Sequence, residues 1–307
     1  MRPIAGREEL NLFSRLPYVL NEELGDDLAV DRRRPEWMWV ALRGDHLLAR
    51  VAWWGRTGDD TPFLLDILDI DDSSADRGRV DIGVRLLQTA MAEVVPTGTR
   101  PPEYSRIVSP DWREAGETRR VVEDRMVALE RTGARLLVER LRLEWRPGTP
   151  IPEPRGRLAF RPVRDTEEIL ALMTLVLDGT LDAHSRDDLT RMSAREAAVR
   201  HYEEELAHYR SPRDWWRIAT LPDGEPVGFV TPARNDYNPI IGYLAVLPEH
   251  RGNGYIDEIL AEGTRILIAQ DVPRIRAATD LGNTPMANAF QRVGYVNFER
   301  TINMTWH

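Results

Sequence analysis

The 307-residue chain is 42% hydrophobic and 30% charged, which supplies enough apolar material for two ordinary domains with buried cores and argues against global disorder. Its formal charge of −9 argues against a nucleic-acid partner, although a local basic pocket for one small polyanion stays open. There is no cysteine, and all 41 basic residues are arginine, which excludes disulfides, thiolate metal sites, thiol nucleophiles, lysine Schiff bases and the lysine-bearing phosphate loop.

No apolar leader opens the chain, and no apolar run reaches the 18 or so residues a membrane helix needs. The six histidines have no metal-ligand spacing. The expectation is a cytoplasmic protein without membrane or metal.

In chain order, "HLLARVAWW" (46–54) reads as a strand, "PFLLDILDID" (62–71) as a second, and "DIGVRLLQTAMAEVV" (81–95) as a helix. A short helix and a strand follow. "RPGTPIPEPRGR" (146–157) concentrates proline and glycine and reads as a linker. Beyond it, "RDTEEILALMTLVL" and "MSAREAAVRHYEEELAHYR" are helices whose Asp165/Glu168 and Ser193/Glu196 pairs stand at capping-box spacing. Then come strands "EPVGFVTPA" (225–233) and "IIGYLAVLP" (240–248), helix "IDEILAEGTRILIAQ" (256–270), and again a short helix and a strand. The second half reads β-α-α-β-β-β-α-β-α-β.

The two halves share this closing order. A shift of 161 places Ala128, Arg131, Gly133 and Trp145 on Ala289, Arg292, Gly294 and Trp306 without a gap (289 − 128 = 306 − 145 = 161), and sets Leu141 and Leu143 on Ile302 and Met304. Together these features predict an internal duplication, with halves 1–147 and 158–307 joined by a linker at 148–157.

Between the strand ending before Pro248 and a helix expected near Asp257 lies Arg251-Gly252-Asn253-Gly254-Tyr255. A glycine turn feeding a helix N-terminus directs amides toward one point and suits a phosphate or pyrophosphate. The glycines alone fit an ordinary strand-to-helix turn equally well.

The wider stretch "VLPEHRGNGY", followed some thirty residues later by "NTPMANAFQRVGY" (283–295), resembles the acetyl-CoA loop and following block of the GNAT N-acetyltransferase superfamily. The resemblance covers about 158–307 and reaches the first half only through the duplication. It implies an α/β (α+β) fold of two tandem GNAT-like domains, each a mixed, largely antiparallel sheet flanked by helices. It also implies acetyl-CoA as cosubstrate. Leu244, Ala245 and Val246 would offer strand backbone to the pantetheine arm, and Arg251, Gly252, Asn253, Gly254 and Tyr255 would wrap the pyrophosphate. Ile256 and Phe290 would line the same path. Asn283 would bond the cosubstrate near its thioester end, or cap a helix, or both.

Three departures stand out. Ile256 replaces the last small residue of the family motif, Phe290 stands where a tyrosine acid is frequent, and Gly242 where a glutamate base is frequent. Water, Tyr243, Asp236 or His184 would then handle protons, Tyr243 and Asp236 being the catalytic candidates. In the first half "DIDDSSADRGRVDIG" (69–83) keeps Arg77-Gly78 but has Val80 for the critical glycine and the carboxylates Asp69, Asp71, Asp72 and Asp76, which should repel a pyrophosphate. Segment 177–188 lies where the family lines its acceptor pocket. Its Asp178 and Asp182, with Asp187 and Asp188, suit a cationic amine or form a solvated acidic loop. The expected function is acetyl transfer to an amine of a small molecule in a ternary complex, by a monomer or homodimer. The competing expectation is a catalytically silent acyl-CoA-binding sensor.

Overall fold

The computed structural model describes residues 1–73 and 78–306. Asp76 and Arg77 therefore lie outside the described residues. The chain forms two compact units, Met1–Val138 with Arg300–His307, and Glu139–Glu299.

The first unit contains strands β1 (Arg2–Pro3), β2 (Met38–Arg43), β3 (His46–Trp54), β4 (Leu64–Ile70) and β5 (Glu103–Val108), with helices α1 (Leu10–Phe13), α2 (Leu24–Ala29), α3 (Arg79–Val94) and α4 (Gly116–Glu130). Strand β6 (Arg135–Trp145) leads out of it. The second unit contains β7 (Ala159–Pro162), α5 (Thr166–Val176), α6 (Ala183–Leu189), α7 (Ala194–Glu204), β8 (Arg217–Thr220), β9 (Pro226–Arg234), β10 (Pro239–Val246), α8 (Tyr255–Ile268), β11 (Ile275–Asp280) and α9 (Thr284–Arg292). The last strand is β12 (Val296–Thr305).

Each unit is a mixed sheet of one design. In the first the order is β1-β2-β3-β4-β5, antiparallel except for the parallel pair β4/β5, and residues 300–304 of β12 close it against β5. In the second it is β7-β8-β9-β10-β11, antiparallel except for the parallel pair β10/β11, and residues 140–145 of β6 close it against β11. A parallel pair needs a crossover, and α3 and α8 provide it. The closing strand of each sequence half thus completes the unit built from the other half. Leu141, Leu143 and Trp145 enter the core of the second unit, while Ile302, Met304 and Trp306 enter that of the first. The compact units therefore differ from the contiguous halves expected. Residues 148–157 form no free spacer either, because Ile151 packs on the second core and the Pro152 carbonyl accepts from Arg265.

Local chemistry explains most element ends. Asp165 caps α5 by accepting from the Glu168 amide, and Ser193 and Glu196 close a full capping box on α7. The helix expected near Asp257 begins two residues earlier, at Tyr255. Segment 177–188 is only partly a loop, since Asp182 accepts from the Ser185 amide and so starts α6. Among the described residues no helix is long and apolar enough to cross a membrane.

Candidate functional site

The second sheet opens where a ligand could enter. Strands β10 and β11 hold a single ladder pair among the described residues, Ile240 with Arg276, and then part. Just past that pair β10 bulges. Ile241 faces Pro232 and Tyr243 faces Thr231, leaving Gly242 as the extra residue. The Thr231 hydroxyl fixes the bulge by accepting from the Tyr243 amide at 2.7 Å and donating to the Tyr243 carbonyl at 3.1 Å. A Cβ on Gly242 would lie 2.6 Å from Tyr209 Cε2. The Tyr209 ring therefore covers the position where a glutamate base is frequent. Beyond the bulge, Leu244, Ala245 and Val246 pair with β9 and, among the described residues, with no strand on the other side.

At the far end of β10 the chain turns through Arg251–Gly254 into α8. Gly252 (φ 84°) and Gly254 (φ 71°) both take left-handed backbone, which glycine adopts without strain. No side chain caps α8, in contrast to α5, α6, α7 and α9 of the same unit. Its first-turn amides, at the positive end of the helix dipole, thus have no side-chain cap among the described residues. Arg157 holds the turn in this shape. Its guanidinium donates to the Asn253 carbonyl at 2.8 Å and the Gly254 carbonyl at 3.2 Å, and pairs with buried Glu258 at 2.6 Å. It also stacks over Tyr255, 4.8 Å from the ring centre.

Other members of the loop are placed differently from the sequence expectation. The Arg251 guanidinium donates to the carbonyls of Asp178 (2.6 Å), Val176 (2.8 Å) and Val246 (3.2 Å). The C-terminal end of α5 is the negative end of a dipole, so it draws this cation. Asn253 turns its side chain back to the His250 carbonyl at 3.1 Å. Ile256 packs against the second core, so the small residue it replaces costs the turn nothing. Asn283 caps α9, accepting from Met286 N at 3.3 Å, and Phe290 is fully buried edge-to-face against Tyr295.

A polar cluster sits where the strands part. Asp182, His184 and Asp280 bring one ligand-capable atom each within 4.8 Å of one another. Asp280, at the end of β11, accepts from Ala183 N at 2.6 Å and meets Arg140 Nε at 3.1 Å. Arg140 also stands 3.9 Å from Asp182. Burial raises the Asp280 pKa, helped by the Asp182 charge. Burial also pushes Asp182 up, but Arg140 and the Ser185 amide outweigh it and leave the carboxyl below its ordinary range. Tyr243 faces the cluster from β10, packed between His201 (5.0 Å) and Phe229 (5.2 Å). Burial and the Asp182 charge raise its pKa, so the hydroxyl keeps its proton at neutral pH. Burial lowers the His201 pKa.

The remaining candidates lie outside this cluster. Asp236 is exposed and pairs with Arg210 at 2.6 Å. Asp187 and Asp188 pair with Arg191 at 2.7 and 3.0 Å, and Asp178 is exposed. Sequence reasoning passed over Arg157, Tyr209, Arg140 and Asp280.

The first unit repeats the design but fills it. Strands β4 and β5 part after Leu65/Tyr104, and β4 bulges at Asp66. Side chains then occupy the opening. Arg106 donates to the Leu68 carbonyl at 3.3 Å, and the Tyr18 hydroxyl accepts from Ile107 N at 2.8 Å. Three of the acidic residues expected to repel a pyrophosphate, Asp69, Asp71 and Asp72, have side-chain partners. Asp69 lies between Arg50 (2.8 Å) and Arg106 (3.0 Å), Asp72 binds Arg125 at 2.6 Å, and Asp71 binds His46 at 2.9 Å. Gly78, which caps α3, has φ −82° where Gly254 has 71°, and Val80 packs on the core.

The second unit thus combines a mixed sheet, one parallel pair parting at a bulge, and an uncapped helix fed by left-handed glycines. Residues 157–296 match the model of an acetyltransferase (GNAT) domain, and this part of the chain is a GNAT domain. Its fold is similar to a GCN5-related N-acetyltransferase from Sphaerobacter thermophilus (14% identity, covering 93% of this chain and 84% of that one, TM-score 0.57). It is also similar to a tandem GNAT protein from the clavulanic acid biosynthesis pathway (14% identity, 99% and 97% covered, TM-score 0.51). A third likeness is to the glucosamine N-acetyltransferase region of a fungal multi-domain β-N-acetylglucosaminidase (13% identity, 97% and 37% covered, TM-score 0.55). No curated protein matches the sequence.

Proposed function

We propose that the chain is an N-acyltransferase that moves acetyl from acetyl-CoA to an amine of a small molecule, by direct attack in a ternary complex. One observation carries this reading: the uncapped N-terminus of α8, fed by Gly252 and Gly254, lies at the end of the same strand β10 that parts from β11. The uncapped amides suit a diphosphate, and the edge of β10 at Leu244–Val246 away from β9 suits an extended pantetheine arm. Residue 283 retains an amide donor for the thioester end, since its side-chain oxygen alone serves the α9 cap.

Holding the amine against the thioester supplies much of the acceleration, through the encounter entropy already lost on binding. Strand amides would stabilise the oxyanion. The Tyr243 hydroxyl is the proton donor proposed for the departing thiolate, although burial and the Asp182 charge make it a weaker acid than a free tyrosine. Asp236 is placed less well for this, in its exposed pair with Arg210. The filled opening of the first unit supports one CoA per chain, with that unit as scaffold.

The test is calorimetry for CoA, followed by thiol release from acetyl-CoA across a panel of amines. A second reading, a silent acyl-CoA sensor, is favoured by buried Phe290 and by Tyr209 covering Gly242. Binding without turnover would select it, and no binding would reject both.

A further inference from the structure

We infer that His184, held beside Asp182 and Asp280 where β10 and β11 part, is the base that takes the proton from a cationic acceptor amine. This rests on the acyltransferase reading and adds to it the base and the charge of the acceptor.

The position that supplies a base elsewhere in the superfamily is closed here. Any side chain on residue 242 would enter the space of the Tyr209 ring, so a proton acceptor has to come from another element. Among the described residues, Asp182, His184 and Asp280 are the one group of three such side chains whose ligand-capable atoms converge. Both carboxylates are fixed by backbone amides, Asp182 by Ser185 N at 2.8 Å and Asp280 by Ala183 N at 2.6 Å. The imidazole therefore has two rigidly held carboxylates with atoms within 4.8 Å, close enough to interact with its charged form.

Charge decides between a base and a metal ligand. Arg140 already meets Asp280 at 3.1 Å and Asp182 at 3.9 Å, so a guanidinium stands where a cation would compensate the pair. One cation against two carboxylates leaves a net negative site, suited to an arriving ammonium. His184 acts on Asp182 of its own segment and on Asp280 of β11, and the same Asp182 charge is felt by Arg140 from β6, His201 from α7 and Tyr243 from β10.

The step balances. His184 takes one proton from R–NH3⁺. The free amine attacks the thioester carbon, forming C–N, and collapse breaks C–S with the electron pair leaving on sulfur. The proton lost by the new amide nitrogen ends on the CoA thiolate, and the His184 proton returns to solvent.

The experiment measures thiol release from acetyl-CoA between pH 6 and 9.5 with spermidine, phenethylamine and glucosamine, for the wild type, His184→Gln and Asp280→Asn. CoA affinity is measured on each by calorimetry. His184→Gln should keep its CoA affinity and lose about 100-fold in kcat. The acid-side inflection of the wild-type profile should vanish in that variant and move down by about one unit in Asp280→Asn, where a charge favouring imidazolium is removed. In the wild type, the imidazole resonance of His184 should titrate at the kinetic inflection, a check that needs no variant. Retention of kcat within about threefold of wild type by His184→Gln, or an imidazole that titrates away from the inflection, overturns the inference while leaving the acyltransferase reading intact. Absence of thiol release by the wild type with all three amines overturns both.

Discussion

Replacing Gly254 by aspartate and, separately, by asparagine isolates the electrostatic part of the proposed diphosphate site. Gly254 has φ 71°, so either side chain costs about 1 kcal/mol of backbone strain, less than most residues because Asn and Asp tolerate this region. Space is available, since the nearest atom to a new Cβ is Arg157 Nη2 at 4.0 Å. Both variants should therefore fold, and their shared strain cancels in the comparison. Only aspartate adds a charge. A carboxylate about 5 Å from an anion on the first-turn amides repels it by about 1–3 kcal/mol, for effective permittivities between about 80 and 20. It would also draw those amides and Arg157 to itself. Calorimetric titration with CoA should show Gly254→Asn within about tenfold of wild type and Gly254→Asp weaker than Gly254→Asn by about 10- to 100-fold. Equal affinities in the two variants would refute the placement of the diphosphate, because no anion would then be sensing the added charge.

Arg157→Ala strips buried Glu258 of its partner and releases two turn carbonyls. It should cost about 3 kcal/mol in urea denaturation and weaken CoA binding, and an unchanged denaturation midpoint would remove the clamp from the account. Gly242→Ala should destabilise by about 1–2 kcal/mol through contact with Tyr209, and Tyr209→Ala in the same chain should relieve it. Glu168 is held by Arg161 and Arg164 at the start of α5; these contacts outweigh its burial and lower its carboxyl from 4.5 to about 2. A folded pKa below the unfolded one contributes stability above about pH 5 that is lost as pH falls toward 2. Glu168→Gln should therefore lose about 2 kcal/mol at pH 7, after allowance for its solvent-exposed partners, and match the wild type at pH 2. Calorimetry should also give one CoA per chain, and a stoichiometry of two would contradict the filled opening of the first unit.

Sequence patterning reached the strands and helices because each carries its own period and its own cap. Asp165 and Ser193 announce α5 and α7 through a spacing that any reader of the chain can see. The loop was legible for the same reason, as Gly252 and Gly254 are needed for backbone that few other residues adopt. The exchange of closing strands was not legible. Leu141, Leu143 and Trp145 alternate identically whichever sheet they join, and pairing partners across the chain leave no local trace. The same blindness applies to Arg157, Tyr209, Arg140 and Asp280, whose roles arise from neighbours roughly 30 to 140 residues away in sequence. Arg251 shows the converse. Its motif was recognisable, but the nearby carbonyl end of α5 competes for its charge and takes it.

The two units explain each other through one shared defect in the sheet. The fourth strand of each bulges four residues before its end, at Asp66 in β4 and Gly242 in β10, and each parallel pair parts close by. A bulge frees backbone groups that must find partners. In the first unit the parted strands are satisfied internally. Arg33 clasps Asp66 at 2.6 and 2.8 Å, Arg106 bonds the Leu68 carbonyl, and Tyr18 receives the Ile107 amide. A ligand entering there would have to displace a buried guanidinium from its carboxylate, at a cost of several kcal/mol. In the second unit the corresponding residue has no side chain and an uncharged ring covers it, so the bulge itself holds no ion pair of the Arg33–Asp66 kind among the described residues. The two units thus hold openings of one geometry. Arginine–aspartate pairing fills the one in the first unit, and the proposed function assigns the other to the cosubstrate.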